Sequence, residues 1–232
     1  MSYLNLQSPK ENKSNIIGFF ILFLYFFGIL PILADPFSLP FFIAAIVPVI
    51  IIQIWAIVYV IDPYKYEKSY YLFFGIYGVV NTYVYFVSIQ KLLYINLKAE
   101  GILPFLIGLI FLVALLLGMN WLNWKALYSG KYYKLQQKST IPVAWTVIAG
   151  GSYILGQLIL SFIYTESALY ILIIVGMSFF SLCTAYFSVY IHRYYFMSKN
   201  MDAVKQVYPQ FGLPKSERIL ERKKRKKKVK SR

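Results

Sequence analysis

Ser14–Ala34 reads SNIIGFFILFLYFFGILPILA and Pro36–Ile61 reads PFSLPFFIAAIVPVIIIQIWAIVYVI, two runs without a formal charge parted only by Asp35. Each is long enough to cross a bilayer, because about 20 residues at the helical rise cover a hydrocarbon core of ~30 Å. Four further charge-free runs follow: Ser69–Gln90, Gly101–Trp124, Ser139–Thr165 and Ser167–His192. None alternates apolar and polar residues as a barrel strand would. In lipid the remaining way to satisfy the backbone is the helix. The expected architecture is therefore an all-α integral membrane protein, a six-helix transmembrane bundle with short loops. Its spans fall at about 15–34, 40–61, 70–90, 102–122, 141–164 and 168–192, within a membrane domain 15–196. A short segment 1–14 precedes it and a polybasic tail 197–232 follows.

Composition agrees with that reading. Apolar residues make up 59% of the chain and charged ones 14%, with the charges gathered in short islands, which excludes an ordinary soluble domain. The formal charge of +15 suggests a nucleic-acid binder, yet Arg222–Arg232 (RKKRKKKVKSR) supplies nine basic residues of it. A single cysteine, Cys183, rules out an intramolecular disulfide and a cysteine-based metal site. The abundance of Ile, Phe, Tyr, Lys and Asn is compatible with an AT-rich bacterial genome.

The basic tail orients the bundle. Lys and Arg beside a span resist translocation, so the tail is expected in the cytoplasm. Six spans then return the amino-terminal segment to the same side. On that arrangement only Lys91 and Lys98 of the 24 basic residues lie outside. Trp121, Trp124 and Trp145 fall near inner span ends, where amphipathic rings favour the headgroup level. The connection Asp35–Pro40 holds two prolines and makes a tight outer hairpin, and Glu166 sits in an equally short turn. The run after Lys10 and Lys13 exceeds a signal-peptide h-region and ends without a small residue at the first position of an A-x-A-like site, so the first span is expected to be retained. Pro31, Pro48 and Pro104 each remove a backbone donor from a span and can bend it. In the tail, Asp202–Tyr208 and Ser216–Lys228 carry helical signals, and Tyr208, Phe211 and Leu213 are expected to dip into the membrane interface. Asp62 and Glu67, with Lys65 and Lys68 beside them, read as a solvated inner loop.

No Asp, Glu, Lys or Arg lies within a charge-free run, which demotes an ion- or proton-coupled carrier. The candidate intramembrane polar contacts are Gln53, Asn81, Ser152 and Gln157, amides and a hydroxyl that seek partners on neighbouring helices. A helix-packing stripe is expected from Gly150, Gly151 and Gly156 in the fifth span and from Ser178, Ser181, Ala185 and Ser188 in the sixth, where small residues let backbones approach. The same residue types also line water-filled grooves. Gly150-Gly151-Ser152 resembles the G-x-S of intramembrane serine proteases, with His192 as the available base. Ser152 lies roughly 15 Å into its span while His192 ends the sixth, too far for proton transfer. No nucleotide loop, zinc motif or carboxylate pair appears, so neither enzyme activity nor a cofactor or metal is expected.

For partners, the sequence points to the lipid bilayer and, through Arg222, Lys223, Lys224, Arg225, Lys226, Lys227, Lys228, Lys230 and Arg232, to anionic lipid headgroups. Each such charge near the surface contributes about 1 kcal/mol. RNA or the ribosome would meet the same charges without sequence preference, as would an acidic protein. The expected function is a non-catalytic, multi-pass protein of the cytoplasmic membrane acting through contact with a membrane or toxin partner, of accessory or immunity type. The alternative is a permease subunit or small transporter. Six spans with both ends inside resembles the membrane subunit of some ATP-driven exporters, on span count alone.

Overall fold

The computed structural model describes residues 3–4, 6–132 and 165–219. Among these the regular structure is entirely helical, with five helices long and apolar enough to span a membrane. They are α1 (Pro9–Leu33), α2 (Leu39–Ile61), α3 (Glu67–Asn96), α4 (Leu103–Tyr128) and α5 (Glu166–Lys199), the last being the sixth span of the sequence. A short α6 (Met201–Val207) follows. The fifth span and the run Arg222–Arg232 lie outside the described residues.

Helix α1 starts earlier than its apolar run because Ser8-Pro9-Lys10-Glu11 is a capping box. Glu11 N donates to Ser8 Oγ (3.3 Å) and Ser8 N donates to the Glu11 carboxylate (2.7 Å), with Pro9 in the first turn. From Phe20 to Ile29 its register widens to the π form, then closes again over Leu30–Leu33, where Pro31 brings no N–H. Helix α5 starts on Thr165, whose Oγ1 accepts from Ala168 N (3.2 Å), and is interrupted by one 3-10 turn at Tyr186–Ser188.

Helix α3 is the centre of the bundle. It has the lowest mean hydropathy of the five, yet 61% of its most apolar stretch is buried, against 6% for α4. Lipid is as apolar as leucine, so burial in a membrane follows polarity and fit rather than hydrophobicity. The outward residues of α2, among them Ile51, Ile54 and Ile57, are correspondingly exposed. Around α3 the interior is filled with rings: Phe20 stacks on Tyr77 (4.9 Å), Phe19 meets Phe187 edge-on (4.9 Å), Tyr59 lies against Phe73 (4.7 Å), and Phe27 stacks on Phe180 (4.2 Å).

Helix α3 comes to backbone contact with α5 at and just after its 3-10 turn. A Cβ on Gly78 would stand 2.6 Å from Phe187 Cβ and 2.9 Å from Ser188 N, and one on Gly75 would stand 2.6 Å from Ile191 N. Ser181, Ala185 and Ser188 are buried, and Thr82 and Thr184 hydroxyls meet at 3.2 Å across the same seam.

At the end of the bundle that carries Lys10, Lys65 and Lys125, the chain after α6 folds back onto the body. Glu67 is buried, accepts from Gly212 N (2.7 Å) and pairs with Arg218. The expectation of a solvated Glu67 is thereby corrected: its carboxylate is needed to hold the returning segment. Phe211 likewise packs into the protein core, at 5% exposure, rather than into a lipid interface.

Gly75→Ala and Gly78→Ala should each destabilise the bundle by about 1–3 kcal/mol, the usual cost of overpacking. Thermal unfolding in detergent checks this, with Gly18→Ala as a control because nothing described lies within 4 Å of its new methyl group.

Candidate functional site

Five polar side chains of α3 are engaged with the backbone of α1 and the turn after it. Tyr77 Oη donates to Phe19 O (2.8 Å), Tyr85 Oη to Phe23 O (2.8 Å) and Ser88 Oγ to Gly28 O (2.7 Å). At the far end Lys91 Nζ donates to Ala34 O (2.6 Å) and Asn96 Nδ2 to Asp35 O (3.1 Å). Lys91, expected in an outer loop, is fully buried as the last α-helical residue of α3, where its charge caps the carbonyls ending α1.

Two amides of α3 are buried with neither polar atom bonded among the described residues: Asn81 and Gln90. Asn81 is enclosed at mid-helix, its Oδ1 3.7 Å from the position a Cβ on Gly28 would take. Gln90 lies beside a groove of 450 Å³ between α3, α4 and α5, walled by apolar side chains such as Phe86, Leu93, Ile107 and Phe111. Ser178 and Ser181 of the small-residue stripe also line it. Ser178 Oγ is bonded back to Ile174 O (2.8 Å). The Gln90 amide occupies the space that Gly108 leaves empty: a Cβ there would stand 2.2 Å from Nε2. A buried amide without partners is costly, and one facing an apolar groove makes that groove the best candidate site of the described structure.

The other expected residues fall elsewhere. Gln53 is exposed on α2 and lines a shallow groove of 250 Å³ against α1, without a hydrogen bond among the described residues. It sits at the edge of the outward isoleucine stripe of α2. Gly150, Gly151, Ser152, Gly156 and Gln157 lie outside the described residues, as do Arg222–Arg232.

A second polar cluster closes the basic end. Tyr132 Oη donates to Asn123 Oδ1 (2.6 Å), Asn123 Nδ2 donates to Tyr3 Oη (3.3 Å), and Tyr3 Oη lies 2.7 Å from His192 Nδ1. With the His192 proton on Nε2, Nδ1 accepts from Tyr3 Oη and the chain of donors runs one way; the other tautomer reverses that last bond. Burial raises the Tyr3 phenol above its usual range against the opposing effect of the Asn123 bond, and burial pushes Tyr132 up to about 12, so both remain neutral hydroxyls. The Arg193 guanidinium lies over the Tyr190 ring (4.5 Å) and the Tyr3 ring (5.4 Å). Asn120 adds a bond to Ser188 Oγ (2.8 Å).

Gln90, Asn120, Asn123 and Tyr3 were not singled out by sequence, and Lys91 was placed in an outer loop. The signal for three of them was present, since Asn120 and Asn123 interrupt an apolar run and Gly108 is an isolated glycine facing Gln90. Among the described residues no three of His, Cys, Asp and Glu converge.

Tyr85→Phe should lower stability by about 0.6 kcal/mol, the average for a hydrogen bond inside a membrane protein. Gln90→Leu should raise it, because that amide leaves both polar atoms unbonded. Denaturation in detergent tests the pair, and a loss of stability in Gln90→Leu would show that the amide has a partner.

No protein-family model matches the chain, and no curated protein or solved structure matches it.

Proposed function

We propose that the chain is a non-catalytic, multi-pass protein of a bacterial cytoplasmic membrane that works by contact with another membrane protein, as an accessory subunit or an immunity-type protein. The observation carrying this reading is the groove between α3, α4 and α5, whose apolar wall and single unbonded amide at Gln90 suit a segment of a partner helix. The use of the other polar groups supports it, since Tyr77, Tyr85, Ser88 and Lys91 hold the bundle together rather than line a path. The clustering of Lys10, Lys65, Lys125 and Lys199 at one end supports a cytoplasmic orientation for that end.

The second reading, a permease subunit or small transporter, draws on Asn81, an unbonded amide at the centre of the bundle. Under it, Asn81→Leu abolishes transport into vesicles. Under the contact reading the same substitution leaves partner capture intact.

A photo-crosslinking amino acid in place of Ile107, which lines the groove and is 59% exposed, tests the proposal in intact cells. One discrete second membrane protein in the adduct is expected. Adducts to lipid alone, or to residues 139–165 of the same chain, would sink the proposal.

A further inference from the structure

At the basic end a cleft of 770 Å³ opens where three distant pieces of chain meet: the first turn of α1, the turn after α2, and the segment that returns after α6. Among the described residues its lining includes Lys10, Lys13, Lys65 and Lys215 against one carboxylate, Asp62. One oxygen of that carboxylate is engaged by the turn it closes, Oδ1 accepting from Tyr64 N and Lys65 N at 3.1 Å each. Among the described residues none of the four ammonium groups has a carboxylate within ion-pair distance. The four lysines are exposed, so none carries a burial cost that an internal partner must offset.

The arrangement is built rather than incidental. Buried Glu67 binds Gly212 N and Arg218, fixing the returning segment on both sides of Lys215. Gly212 takes a φ of +76°, a conformation that favours glycine and turns the chain toward the cleft. Ile61, the last residue of α2, forms an apolar part of the wall, which places the lysines at the level where a bilayer passes from acyl chain to headgroup.

We propose that this cleft binds a phosphate-bearing anion, with Lys10, Lys13, Lys65 and Lys215 as its ligands and Glu67 as a positioning residue. A compact dianion draws on several ammonium groups at once, and phosphate matches lysine as a point charge. The site is made of residues other than Arg222–Arg232 and does not depend on the partner reading given above.

The full chain in a zwitterionic detergent is titrated with dioctanoyl phosphatidic acid in one arm and inorganic phosphate in the other, following the thermal shift. A saturable shift is expected, and Lys65→Gln with Lys215→Gln should weaken it about thirtyfold, as two fewer charges near an anion imply. Lys65→Arg with Lys215→Arg should restore most of it. Glutamine at the basic positions of 222–232 should leave it unchanged. Saturation by the lipid alone assigns a headgroup, and saturation by both assigns free phosphate as well. Loss of the shift in the 222–232 variant instead of the lysine pair, or no saturation by either probe, overturns the site.

Discussion

A carbonyl oxygen inside a bilayer has no water to turn to, and the first helix directs three such oxygens at donors on α3, with two more, at Ala34 and Asp35, met at its outer end. The five bonds run from Tyr77 to Asn96, nearly the whole membrane depth of α3, and engage Phe19, Phe23, Gly28, Ala34 and Asp35. Three of the acceptors lie in or beside the widened stretch Phe20–Ile29, where the backbone departs from α geometry. A tyrosine suits this task because its ring packs while its hydroxyl reaches past the neighbouring side chains. Pairing α1 with α3 in this way fixes the rotation of both helices, and the rest of the bundle is arranged on them.

With α3 so fixed, its glycines face α5. Gly78 accepts the 3-10 turn at Tyr186–Ser188 and Gly75 the following turn at Tyr190 and Ile191, both at backbone contact, and the Thr82–Thr184 hydroxyls meet beside them. The other face of α3 carries Gln90 toward α4, where Gly108 leaves room for the amide. The candidate groove is thus a consequence of the packing: the helix that supplies the donors for α1 also bears an amide left without one. Tyr77, Tyr85, Ser88 and Lys91 are committed to backbone carbonyls, whereas Tyr70, Tyr71, Asn81 and Gln90 keep buried polar atoms without a partner among the described residues.

The basic end works differently, because water and salt compete there. One charge pair, Glu67 with Arg218, is buried and holds the returning chain. The lysines around it stay exposed and unpaired among the described residues, which makes them available to an external anion. The same carboxylate that closes the fold therefore holds the segment that carries Lys215.

Sequence alone determined the helical class, the membrane as solvent, and the approximate limits of the described spans, because a charge-free run of that length has few other uses. It also marked Asn81 as an interior amide and the seam of Ser181, Ala185 and Ser188 as small. It did not separate Gln53, which is exposed, from Gln90, which is buried, nor reveal that Lys91 caps the end of α1. The reason is that lipid and protein interior are equally apolar, so a span carries no strong periodic signal for its inward face. Only the tertiary structure decided which polar side chains meet. Glu67 with Arg218, Tyr3 with His192, and the four lysines of the cleft come from segments that no local pattern connects, and their meeting depends on how α1, α3 and α5 rotate against one another.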